Sequence, residues 1–194
     1  LEAIAAHYGF GHEGGNRNFS FETTSSVRSI DPLVRSLRVG FTVRTGSGFY
    51  LRAESFFNVA SYVDSVGGFD SYGGKSLHDQ SHGESFISLL QNRFTRSGFY
   101  VMDEPEAALS PQRQLSFLVL LHDLLKDNEN MQFLIATHSP ILLAYPGAQI
   151  LSFDGGQIHE INCRESQPFQ LVSRFVVAPE HYIHALFSEP SSTE

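Results

Sequence analysis

Two adjacent carboxylates, Asp103 and Glu104, follow the apolar run Phe99-Tyr100-Val101-Met102. A buried strand that ends this way delivers both acids to an exposed edge. Phosphoryl transfer uses such a pair. One carboxylate holds Mg²⁺, directly or through water, and a second group orients the attacking water and accepts its proton. Alone, an acid pair after a strand is an ordinary polar turn, but here it has company. Thr137-His138-Ser139 closes the next apolar run, Met131 to Ala136. An imidazole there would hydrogen-bond a terminal phosphate. Ser81-His82-Gly83-Glu84-Ser85 opens an amphipathic stretch. As structure, Ser81 and Glu84 read as a capping box. As chemistry, a helix start with exposed amides receives an anion, and Gly83 lets a phosphate approach the backbone.

These residues need elements to position them. Phe99 to Met102 and Met131 to Ala136 read as buried strands. Between them, Pro111 to Lys126 reads as an amphipathic helix with Ser110 at its N-cap and Pro111 at the first helical position. Strand, helix, strand predicts a β-α-β unit with a parallel sheet, and ligands of such sheets bind beyond the carboxyl ends of the strands. Parallel neighbours would set His138 beside Asp103 and Glu104. Leu1 to His7 reads as the tail of a helix, and Gly9 to Asn18 as a glycine-rich turn region. Phe19 and Phe21, and then Leu37, Val39, Phe41 and Val43, alternate with polar residues and predict half-buried antiparallel strands. Phe49 to Leu51 reads as another strand, Ser55 to Ser65 as a short helix and Gly67 to Gly74 as a loop. Gly83 to Phe94 carries Phe86, Ile87, Leu90 and Phe94 on one helical face. Ile150 to Ile161 predicts a hairpin turning at Asp154-Gly155-Gly156, and Val177 to Phe187 a helix.

The 194 residues carry a formal charge of −8, which argues against a broad nucleic-acid footprint but not against a local basic patch. A single cysteine, Cys163, excludes an internal disulfide and a CxxC metal site and suits a reducing compartment. No apolar run reaches the length of a membrane span, and the first residues lack the basic flank of a signal peptide. A cytoplasmic protein is expected.

The ordered series Ser-x-Gly-Glu, apolar-Asp-Glu-Pro, Ala-Leu-Ser and Thr-His-Ser, running from Gln80 to Pro140, resembles the nucleotide-binding domain of ABC ATPases. Closer still, it is similar to the soluble bacterial AAA family ATPases that carry an ABC-type signature. The resemblance implies an α/β P-loop NTPase of ABC type. It would be a single domain over 1–194 with a three-layer core, an antiparallel β subdomain near 19–51, and signature, Walker B and switch regions over 77–161. By the same resemblance, Asp103 serves Mg²⁺, Glu104 is the general base of ATP hydrolysis and His138 is the switch histidine. Ser81, His82, Gly83 and Glu84 form the signature that contacts ATP held by a partner chain. Ala107-Ala108-Leu109-Ser110 is the D-loop, which crosses between subunits. The working unit is then a head-to-tail homodimer with two ATP molecules between its subunits.

Three departures mark the chain off from transporter ATPases. His82 and Glu84 stand where those proteins have Gly and Gln. No glutamine precedes Gln80; the resemblance leaves Glu54, after the Phe49 to Arg52 segment, as a candidate for the role of the Q-loop glutamine and as a second candidate Mg²⁺ ligand. The segment between Arg52 and Ser81 is short for a subdomain that docks on a membrane partner. A transporter subunit, a non-hydrolysing scaffold and a DNA-repair ATPase are the rival readings. Gly73-Gly74-Lys75-Ser76 looks like the end of a G-x-x-x-x-G-K-[ST] loop, but Phe69 stands where its first glycine belongs. The Walker A loop is expected upstream of Leu1, because Leu1 to Ala6 has strong helix formers without an N-cap and resembles the helix that follows that loop. The 194 residues by themselves are expected to lack turnover.

Overall fold

Three short strands pair in parallel: β1 (Gly48–Arg52), β2 (Phe99–Asp103) and β3 (Gln132–Ala136), in that spatial order. This computed structural model describes residues 1–11, 14–16, 30–43, 45–54, 82–94 and 96–188. The expected strand at Phe19 and Phe21, helix at Ser55 to Ser65 and loop at Gly67 to Gly74 lie outside the described residues, as do Gly73 to Ser76 and Ser81. Contacts divide the chain into two units, Leu1–Thr137 and His138–Glu194.

The apolar runs of β1 and β2 are covered on both faces, as parallel strands require. On one face, Tyr50 and Val101 are buried with Ala5, Tyr8 and Phe10, the residues of α1 (Glu2–Tyr8) and its exit. Gly9 stops α1 with φ 102°, and its N–H returns to the carbonyls of Ala5 and Ala6. The opposite face carries Phe49, Tyr100 and Phe133, which lie in one row of the register. Their rings gather around Phe94, with Phe94 and Tyr100 at 4.3 Å and Tyr100 and Phe133 at 5.3 Å. Phe94 follows directly on α3 (His82–Arg93), and Phe86 of α3 meets Phe117 of α4 (Pro111–Asp127) edge-on. In the first unit, α1 therefore covers one face of the sheet and the aromatic cluster around Phe94, just past α3, covers the other.

Two parts of the expected antiparallel subdomain are corrected by the structure. Leu37 to Val43 forms no strand, and Asp31–Ser36 just before it is a helix, α2. Phe49 to Leu51 is a strand, but it joins the parallel sheet as β1. Leu37, Val39 and Phe41 are half-buried while Arg38, Gly40 and Thr42 are exposed. The alternation reports burial on one side as far as Phe41, whose ring lies against Tyr8 and Phe99, and fails at Val43, which is exposed. It does not report a ladder.

The second unit holds α5 (Pro140–Leu143), the antiparallel pair β4 (Ile150–Ser152) and β5 (His159–Ile161), α6 (Gln167–Val177) and α7 (Pro179–Phe187). The hairpin turns at Asp154-Gly155-Gly156, with φ 70° and 77° at the two glycines. Helix was expected from Val177 onward. The observed helix begins earlier, at Gln167, and breaks at Ala178 before Pro179. No helix among the described residues is long and apolar enough to cross a membrane.

Candidate functional site

The last row of the parallel register aligns Arg52, Asp103 and Ala136 at the carboxyl end of the sheet. Ligands of open parallel sheets bind at that end. Arg52 shares the strand face of Tyr50, which packs on α1, and it is surrounded by carboxylates. Its guanidinium lies 2.8 Å from Glu2 of α1, 3.5 Å from Glu54 and 3.9 Å from Asp103. The Asp103 contact runs through Nε, which is buried and lacks a hydrogen-bond partner. At 3.9 Å it is an electrostatic contact and not a hydrogen bond. Beneath it the Tyr50 hydroxyl is also buried and unpartnered, and burial pushes its pKa up. Orphaned buried donors of this kind are uncommon in folded proteins.

Asp103 is half-buried. Burial holds its carboxyl above the usual carboxylate range, against the opposing pull of Arg52; Glu2 and Glu54 push it up further. The acid is thus under-compensated by its own surroundings, and an added cation would stabilise its charged form. Among the described residues, no group of three or more His, Cys, Asp and Glu converges as a metal site. Mg²⁺ is commonly held by one or two carboxylates together with substrate phosphates, and Asp103 is a carboxylate placed at the sheet's carboxyl end.

Glu104 is exposed and is the one non-glycine among the described residues with positive φ, at φ 47° and ψ 52°. The left-handed region costs an L-residue about 1–2 kcal/mol, and a following proline disfavours helical conformations further. The backbone nevertheless holds it. Its N–H donates to the Ala136 carbonyl at 2.9 Å, and its carbonyl accepts from Ala107 N–H at 3.0 Å. Such strain is concentrated at sites of function. Next in the chain, the 3₁₀ turn Pro105–Ala108 carries Glu106, whose Oε2 accepts a hydrogen bond from Thr137 Oγ1 at 2.7 Å. His138 follows Thr137 directly, opens the second unit and is exposed.

The expected signature residues form a second cluster in the first unit. His82 is the first residue of α3, and Gly83 is buried in its first turn. A Cβ on Gly83 would meet Arg113 Cδ at 2.5 Å, so it is the arginine stem that presses on this glycine. Glu84 pairs with the same Arg113 at 3.2 Å. Ser110 caps α4, its Oγ accepting the Arg113 N–H at 3.4 Å. The first turns of α3 and α4 are therefore tied together through Arg113, and α3 also contacts the Pro105–Ala108 turn.

The structure brings Asp103 together with Glu54 through Arg52 and sets Glu104 at the next position beyond the sheet. Sequence reasoning missed Arg52, Glu2, Glu106 and Arg113, and it placed Thr137 in a motif without foreseeing its bond to Glu106. A basic residue ending β1 was the available sign for Arg52, readable only once β1 was placed beside β2. Residues 82–143, from α3 to α5, match the family model described as AAA ATPase domain. The stretch contains Asp103, Glu104, Glu106, Ser110, Arg113, Thr137 and His138. No curated protein and no solved structure matches the chain.

Proposed function

We propose that this protein binds and hydrolyses ATP at the carboxyl end of the β1–β2–β3 sheet. The observation that carries the reading is Asp103-Glu104 at the end of a buried parallel strand, with Glu104 held in a strained corner, inside the stretch similar to an AAA ATPase domain. In the reaction, water attacks the γ-phosphorus and the bond to the bridging oxygen of ADP breaks. Glu104 takes the proton of the water and orients it in line. Asp103, with Glu54 nearby, would hold Mg²⁺, which when bound neutralises charge on the phosphates. Arg52 keeps Asp103 and Glu2 in place. His138 hydrogen-bonds the terminal phosphate.

The finer reading is an ABC-type arrangement. His82, Gly83 and Glu84, with Ser81 before them and Ser110 at the cap of α4, contact ATP held by a second copy, so that two sites form in a head-to-tail homodimer. Supporting it is the existence of a second cluster, built around Arg113, distinct from the carboxylate cluster. The phosphate cradle would belong at the amino end of α1, since Glu2 there meets Arg52 at the sheet's carboxyl end. A single-turnover assay on the full-length protein tests the proposal. Mg²⁺-dependent phosphate release from ATP is expected. Absence of both ATP binding and release would overturn it.

A further inference from the structure

We infer that Glu106 is a positioning residue for Glu104 and acts through its hydrogen bond to Thr137. The inference rests on the reading of Glu104 as the general base. The ladder between β2 and β3 runs to Asp103 and Ala136, and the Glu104 N–H extends it by one bond to the Ala136 carbonyl. There backbone pairing stops. Glu104 turns into the left-handed region, and Pro105 has no N–H to offer. The Glu106 carboxylate takes over at the next residue of the opposite side, accepting from the Thr137 hydroxyl at 2.7 Å in a partly buried position.

Two consecutive residues at the end of β3, Ala136 and Thr137, therefore grip the corner on either side of Pro105. The third hold is local, from Ala107 N–H to the Glu104 carbonyl. Backbone torsions of this kind persist only where the surroundings impose them. Of these three bonds, the Glu106–Thr137 bond is made by side chains and can be removed without altering the main chain. It also fastens the corner to the residue directly preceding His138. Loss of the bond should release the base from its orientation, which slows the chemical step. Nucleotide affinity should be spared, because the bond supplies orientation and not binding contacts.

The test is made in the full-length protein, with ATP as the ligand and Glu104→Gln as reference. Thr137→Val removes the donor at nearly constant volume, Glu106→Ala removes the acceptor, and Thr137→Ser keeps the hydroxyl. Single-turnover hydrolysis should fall on the order of 10- to 100-fold in Thr137→Val and in Glu106→Ala. The Kd for labelled ATP should stay within about two-fold of wild type in both. Thr137→Ser should hydrolyse near the wild-type rate, and the double variant should be no slower than the worse single variant. A wild-type rate in Thr137→Val, with Glu104→Gln inactive, overturns the inference alone. So does a Thr137→Ser protein as slow as Thr137→Val, or a loss of rate matched by an equal loss of affinity. A wild-type rate in Glu104→Gln overturns the base itself.

Discussion

At the scale of single residues, Glu104 joins chemistry to strain, and the two separate under mutation. Glu104→Gln keeps the shape and removes the proton acceptor, so turnover should fall about 10²- to 10⁴-fold while ATP binding persists; phosphate release and nucleotide titration check this. Glu104→Gly removes the base as well but relieves the left-handed backbone at φ 47°. Allowing for the added freedom of glycine in the unfolded chain, it should be as stable as wild type or more so, by up to about 1 kcal/mol. A urea midpoint clearly below wild type would show that the corner is not strained. Asp103 makes a related prediction through pH. Its folded pKa is raised, chiefly by burial, so its contribution to stability is complete below the unfolded value and lost as pH rises through the folded one. Without divalent cation, Asp103→Asn should be the more stable protein at about pH 7, and the difference should close toward about pH 4. Urea melts at both pH values decide it, and an advantage that grows on acidification would contradict it. Asp103 and Glu104 were legible because four apolar residues and two acids form a local signal. Arg52 and the Glu106–Thr137 bond were not, since each depends on which residues of distant strands fall in register.

At the scale of elements, the sheet is held by close backbone approach on one row and by aromatic packing on another. Gly48 opens β1 opposite Phe99, and a Cβ there would collide with the Phe99 carbonyl oxygen. That atom is backbone in the neighbouring strand and cannot swing aside. Gly48→Ala should therefore cost about 1–3 kcal/mol or more and loosen β1 from β2. Denaturant unfolding measures the cost, and a wild-type midpoint would mean that β1 sits farther from β2 than described. Helix α4 was readable end to end, because Ser110, Pro111 and an apolar stripe each mark it independently. Strands β2 and β3 were readable as continuous apolar runs. Leu37 to Val43 misled because a chain lying extended on a core shows the same alternation as a strand. Only a hydrogen-bonded neighbour makes the difference, and no single segment encodes its neighbour. Helix α6 carried signs of its own, Pro168 near its start and Phe169, Leu171, Val172, Phe175 and Val176 along it, but Ser166 points its hydroxyl back to the Cys163 carbonyl instead of capping.

At the scale of the whole molecule, the proposed dimer is open to direct measurement. In Glu104→Gln, ATP should accumulate unhydrolysed and hold two copies together, giving a dimer by sedimentation that dissolves when ADP replaces ATP. A monomer under saturating ATP would rule out the composite site while leaving hydrolysis by one chain untouched. The order of the parallel sheet has a further consequence, for biosynthesis. Gly48 must find Phe99 roughly fifty residues later, and Phe99 must find Gln132 some thirty residues after that. At about 5–20 residues per second, Phe49, Tyr50 and Leu51 leave the ribosome several seconds before their partner strand exists. A nascent chain with that greasy segment unpaired is exposed to aggregation in the interval, and slower, cooler synthesis would lengthen its wait instead of shortening it.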